Sequence, residues 1–91
     1  MREIERTSKF KRDYKREKRT DAALDAMLVL VIELLIADAA LPEKHRDHGL
    51  SGTWAGYRDC HVRPDLVLIY AKPNETTLTL ARLGSHSELF S

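Results

Sequence analysis

Residues 27–36, MLVLVIELLI, constrain this chain more than any other stretch. The run is too short to span a bilayer and carries Glu33, so it must be buried in a protein core or against a partner. At helical spacing Leu24, Met27, Leu28, Val31 and Leu35 form one inward stripe, and Val29, Leu30, Ile32 and Ile36 extend the apolar surface around most of the cylinder. A sheet on one side and a neighbouring helix on the other are expected to cover it. Thr20 or Asp21 is the expected cap, the helix runs to about residue 39, and Pro42 closes the helical region.

Other elements are arranged around that helix. Residues 2–7 alternate as a short edge strand does. Thr7 or Ser8 can cap a helix over 9–19, in which Phe10 and Tyr14 face inward while nearly every other position is charged. Residues 42–56 read as a loop entering a strand near Trp54. Strands then follow at about 55–62, 66–72 and 77–83, with turns at Pro64-Asp65 and at Pro73-Asn74-Glu75, and the chain closes on a short tail, SHSELFS. Strand, helix, helix and an antiparallel meander predict an α+β fold: a short N-terminal strand and two helices packed on one face of a twisted antiparallel sheet. With 91 residues the chain has room for one modest core, so residues 1–91 are expected to be a single domain.

Charge is uneven. Residues 2–19 hold nine Lys/Arg against four Asp/Glu, a local +5, while the remainder holds six against ten, a local −4. Such a basic lobe is either a solvated helix face or a surface steering towards phosphate backbones. One cysteine, Cys60, excludes an intrachain disulfide framework and reads as a buried apolar residue in a reducing compartment. The N-terminus has no apolar signal region, so a cytoplasmic protein without a membrane segment is expected.

Chemistry concentrates in GYRDCHVRPD, residues 56–65. Strand alternation puts Tyr57, Asp59, His61 and Arg63 on one face and Arg58, Cys60 and Val62 on the other. The remaining histidines are His45, His48 and His86, none on an apolar helix stripe. Four ordinary surface histidines and a general acid–base site both fit, since imidazole titrates near neutrality without a large shift. A zinc site drawing His45 and His48 towards His61 or Asp65 is disfavoured, because no HExxH or paired-cysteine pattern is present. No metal or cofactor is expected.

The stretches LPEKHRDHGLSGTWAGYRDCHVRPDLVLIY and RLGSHSELF resemble the YafQ branch of the RelE/ParE toxin superfamily. The matching elements are Asp47-His48, Gly52, Trp54 and Gly56-Tyr57-Arg58-Asp59, then His61, Pro64-Asp65, Ile69-Tyr70 and Gly84-x-His86. The resemblance implies the toxin of a type II toxin–antitoxin pair with a RelE-like fold. It further implies a ribosome-dependent endoribonuclease that cuts A-site mRNA and is silenced by a RelB- or DinJ-like antitoxin. The family's catalytic residues fall on His48, His61, Asp65 and His86, its terminal aromatic on Phe90, and the arginine ahead of Gly-x-His on Arg82. The nuclease chemistry needs no cofactor, because the RNA 2′-OH is the nucleophile. His48 is then the expected base and His86 the acid, with His61 and Arg82 on the phosphorane. Asp59 would hold an imidazole tautomer, and Asp65 would orient an imidazole or act as base. Lys9, Lys11, Arg12, Lys15 and Arg16 would meet 16S ribosomal RNA phosphates. Trp54, Tyr57, Arg58 and Tyr70 read as core or supporting residues. His45, where relatives often carry Tyr, receives no catalytic role. Leu66 stands where close relatives commonly carry Trp, so base preference does not transfer. The rival readings are a gyrase-directed, ParE-like toxin and an inactive RNA-binding remnant.

Overall fold

The computed structural model describes residues 1–90. Five strands, β1 (Glu3–Arg6), β2 (His48–Gly49), β3 (Arg58–Arg63), β4 (Leu66–Asn74) and β5 (Thr77–Gly84), form one sheet in the order β1-β5-β4-β3-β2. Helices α1 (Ser8–Thr20) and α2 (Leu24–Ile36) pack on one face, and a short helix α3 (His86–Phe90) follows β5. The expected α+β architecture is present. The sheet is mixed rather than wholly antiparallel, because β1 pairs parallel with β5, Glu3 opposite Thr77. Among the described residues no helix is long and apolar enough to cross a membrane.

The helices follow from local chemistry. Thr7 caps α1 by accepting the Phe10 N–H at 3.0 Å, as expected. Asp21 ends α1 and accepts the Ala23 N–H, and α2 then begins at Leu24. α2 stops at Ile36, earlier than expected. Asp38 adopts a left-handed backbone, φ 56°, and its carboxylate is held by Arg2 Nε at 2.8 Å and Lys72 Nζ at 2.7 Å. Leu24, Leu28, Val31 and Leu35 are buried as the stripe predicts, against Phe10, Cys60, Leu68, Tyr70 and Leu80. Coverage of the remaining apolar surface is incomplete: Val29 is 49% and Leu30 66% exposed.

The opposite face of the sheet is not bare. Val67, Ile69, Ala81 and Leu89 make a second, smaller core under Leu50, Trp54 and Tyr57. Its cover is residues 50–57, with a 3-10 turn at Gly52–Trp54, together with α3, while a second 3-10 turn, Glu43–His45, lies at the β3 edge. The expected strand entry near Trp54 is therefore a turn. SHSELF is a helix rather than a tail, because Ser85 and Glu88 cap it reciprocally: Glu88 accepts the Ser85 N–H at 2.9 Å and Ser85 Oγ the Glu88 N–H at 3.2 Å.

Two turn expectations divide. Pro64-Asp65 does join β3 to β4, with Arg63 opposite Leu66. The second turn is displaced: Pro73 and Asn74 continue β4, and the chain reverses at Glu75–Thr76, where Asn74 Oδ1 accepts the Thr76 N–H at 2.9 Å. β3 begins at Arg58 opposite Tyr70 and reaches no further along β4, so Pro73 faces no β3 partner whose bond its missing N–H would break.

β5 outruns its neighbour β1, and α1 seals the exposed edge. Thr7 N–H and Oγ1 donate to the carbonyls of Leu80 and Ala81, Asp13 accepts the Leu83 N–H at 3.0 Å, and Arg16 donates to the Leu83 carbonyl.

Candidate active site

Register brings the functional side chains together on the face opposite α1 and α2. His48 lies opposite Asp59, Asp59 opposite Ile69, and Ile69 opposite Arg82, a single row across β2, β3, β4 and β5. Two residues along, His61 and Gly84 both lie opposite Val67. His86 begins α3 just beyond Gly84. Its ring meets His61 with centroids 5.4 Å apart, and Phe90, one helical turn later, meets the His86 ring at a tilt with centroids 5.2 Å apart. Gly84 leaves room for the close approach of Arg16 and Glu88. A Cβ on it would stand 3.1 Å from both Arg16 Nη2 and Glu88 Oε1.

Asp59 underlies the histidines. It is 1% exposed, and its Oδ1 lies 3.1 Å from His48 Nδ1 yet makes no hydrogen bond of good geometry. Burial raises its carboxyl above the ordinary range, while the His48, His61 and His86 imidazoles, when charged, pull it back. His48 Nδ1 also lies 2.9 Å from the Arg46 carbonyl. Arg46 is left-handed, φ 47°, which turns that carbonyl back towards the ring. The Arg46 carbonyl as acceptor, with the Asp59 carboxylate beside it, assigns Nδ1 the proton and leaves Nε2 as the free lone pair. His61 Nδ1 lies 3.2 Å from the Pro64 carbonyl, so its Nε2 is likewise free.

Arg82 lies on the same face but is committed. Its Nε donates to Asp13 Oδ2 at 2.7 Å and its Nη2 to Asp13 Oδ1 at 3.2 Å. Asp13, 3% exposed, was not singled out by sequence, although it lies three residues after Phe10 on the inward face of α1, a position where a carboxylate needs partners. Burial pushes its carboxyl up, but bonds from Arg82 and Leu83 and the Arg82 and Arg16 charges outweigh this and leave it below the ordinary value. Arg16 bridges onward from Asp13 to Glu88 at 3.4 Å, tying α1 to the helix that carries His86 and Phe90. Lys9, Arg12, Asp13, Arg16 and Arg82 line one cleft of about 310 Å³. Lys11 and Lys15 are exposed on α1 outside it.

Other expected residues separate from the cluster. Asp65 is exposed at the hairpin tip, and its carboxylate makes no hydrogen bond or ion pair among the described residues; the Pro64 carbonyl, not Asp65, contacts His61. Arg63 leaves the His61 face, because a bulge between His61 and Arg63 breaks the alternation and its guanidinium pairs with Asp21. His45 Nδ1 donates to the His61 carbonyl at 2.6 Å. Leu66 is buried in the helix-side core, 1% exposed, and offers no surface to a base. Tyr70 and Arg58 both hold Asp47, and Trp54 packs edge-on against Tyr57 at 5.2 Å. Burial pushes the Cys60 thiol up to about 12, consistent with an inert core residue. Among the described residues no three histidine, cysteine or carboxylate side chains are grouped so as to hold a metal ion.

A family described as a bacterial toxin of type II toxin–antitoxin systems, YafQ, matches residues 2–91. The mRNA interferase toxin YafQ of Escherichia coli strain K12 is 36% identical over 90 residues, covering 99% of this chain and 97% of that protein. The E. coli DinJ–YafQ complex contains a chain that superposes with a TM-score of 0.88 at 36% identity, covering 100% of both chains. A metal-bound toxin from Helicobacter pylori superposes with a TM-score of 0.89 at 43% identity, covering 99% of this chain and 100% of that one. The chain therefore belongs to the YafQ family of bacterial toxins of type II toxin–antitoxin systems.

Proposed function

We propose that residues 1–91 act as one cytoplasmic toxin domain that cuts mRNA in the ribosomal A site and so arrests translation. The observation that carries this reading is the convergence of His48, His61 and His86 over buried Asp59, with the His61 and His86 rings 5.4 Å apart. Intramolecular attack by the RNA 2′-OH on the adjacent phosphorus needs a base, an acid at the departing 5′-oxygen and positive charge on the non-bridging oxygens. His48 takes the 2′-OH proton at Nε2, because its Nδ1 proton is held by the Arg46 carbonyl beside the Asp59 carboxylate. His86 returns a proton to the 5′-oxygen. His61, charged, stabilises the phosphorane, with Arg82 supplying longer-range positive charge while Asp13 holds it. Phe90 offers its ring, 39% exposed, as a stacking surface for a base. Asp65, exposed at the hairpin tip, is free to approach bound RNA as an alternative base. The products are a 2′,3′-cyclic phosphate and a 5′-OH.

The ribosome and its 16S RNA are the expected platform, met by Lys9, Lys11, Arg12 and Lys15 as phosphate contacts, with Arg16 serving chiefly as the α1–α3 strap. An antitoxin resembling DinJ, the partner in the E. coli complex, silences the toxin. A purified translation reaction with one defined mRNA tests the reading. Ribosome-dependent cleavage with cyclic-phosphate ends supports it. A 3′-OH end, or strict dependence on added zinc, contradicts the acid–base scheme, and gyrase poisoning without cleavage favours the ParE-like alternative.

A further inference from the structure

The edge of β3 beyond the histidine cluster is unusual. β2 pairs only with Arg58 and Asp59, so the rest of that edge is left to the 3-10 turn Glu43–His45, whose His45 imidazole caps the His61 carbonyl. Between this turn, the end of β3 and α2 lies a cavity of about 330 Å³. Met27, Leu30 and Pro64 give it apolar walls, and Lys44, His45 and His61 complete the lining. Leu30 is 66% exposed there, although it is a large aliphatic side chain in mid-helix. Lys44 is exposed and makes no ion pair or hydrogen bond among the described residues.

We infer that this cavity is a nucleotide subsite: it receives the base of the RNA residue flanking the scissile phosphate, and Lys44 meets that residue's own phosphate. Three features select this occupant. His61 lines the cavity while its ring belongs to the catalytic cluster, so the two adjoin across the β3 edge. Apolar walls suit the faces of an unstacked base, and single-stranded RNA is read by splaying bases into such sites. An unpaired cation beside them suits the phosphate that accompanies every base. The volume lies at the lower end of small-ligand sites, enough for a single nucleoside. His45 donates through Nδ1, which leaves Nε2 as an acceptor for an amino group on the base edge. The subsite rests on the ribonuclease reading and goes beyond it by locating where codon preference is set.

The test is single-turnover cleavage on ribosomes programmed with a panel of A-site codons, comparing wild type with Leu30→Asp, Lys44→Gln and the distant Lys11→Gln. Leu30, Lys44 and Lys11 are all exposed, so unchanged thermal midpoints are expected and are measured first. Leu30→Asp and Lys44→Gln should reorder the relative rates among codons by about tenfold. Lys11→Gln should raise the toxin concentration for half-maximal cleavage while leaving that order intact. The same codon order in all variants, with wild type cleaving, overturns the subsite and leaves the nuclease reading standing. Loss of antitoxin binding by the cavity variants, with codon order unchanged, makes the cavity a protein-docking site and overturns the inference as well. No cleavage by wild type overturns both.

Discussion

The imidazoles of His61 and His86 face each other with centroids 5.4 Å apart and planes tilted by 47°, one carried by β3 and the other by the first turn of α3. That pairing depends on what fixes α3. The helix is short, and its attachment consists of the Ser85–Glu88 caps, burial of Leu89 and the Arg16–Glu88 ion pair. The position of His86 is thus set by residues that meet no substrate.

Glu88→Gln should therefore act on catalysis out of proportion to its effect on folding. An exposed ion pair contributes little stability, of order 0–1 kcal/mol. Loosening a helix that holds an acid can cost far more in rate, about tenfold to a hundredfold. The expected result is a lower single-turnover rate at saturation with unchanged ribosome affinity and an almost unchanged melting midpoint. Equal rates would place the α3 anchor elsewhere, in Leu89.

Asp13 presents the opposite balance. It accepts from Arg82, Arg16 and the Leu83 N–H while buried. Asp13→Ala leaves Arg82 without its partner and should cost about 3–5 kcal/mol. Because its folded carboxyl is held below the unfolded value, its contribution is complete above the ordinary aspartate pKa and is lost as pH falls through the lowered one. Denaturant midpoints of wild type should drop between pH 5 and pH 3, and Asp13→Asn should flatten part of that slope.

Asp59 carries the reverse sign. Its folded carboxyl is raised by burial, so its contribution is full below the unfolded pKa and is lost as pH rises through the raised folded value. Asp59→Asn should gain stability relative to wild type at pH 7 compared with pH 4. The same variant removes the negative charge beside His48 Nδ1, and its cleavage rate should fall because the His48 tautomer is less firmly held. A constant stability difference across that pH range would contradict the assignment.

Much of the fold was legible because it is local. The Thr7 cap, the Leu24–Leu35 stripe and the Pro64-Asp65 turn are each decided within a few residues. The parallel pairing of β1 with β5 was not, since nothing in residues 3–6 specifies a partner near the other end of the chain. Arg63 was misplaced for a physical reason: alternation assumes an unbroken strand, and the bulge after His61 turns its side chain towards Asp21. The helix beginning at His86 carried a readable signal, the Ser85-x-x-Glu88 capping box. The histidine positions came from motif resemblance and the role of Asp59 beside His61 from alternation, but the approach of His48 to Asp59 and the anchoring of His86 by α3 emerged from register and packing.

The most direct measurement is cleavage by His86→Ala of a ribosome-bound mRNA with a 5′-thio leaving group at the scissile bond. On the normal substrate the variant should lose roughly 10²–10⁴-fold in single-turnover rate, with ribosome binding unchanged, because a proton donor contributes to the reaction and not to phosphate contacts. The thiolate leaves without protonation, so the 5′-thio substrate should restore most of the lost rate. A variant that binds normally and keeps its fold, yet is as slow on the thio substrate as on the normal one, would contradict the assignment of His86 as the acid.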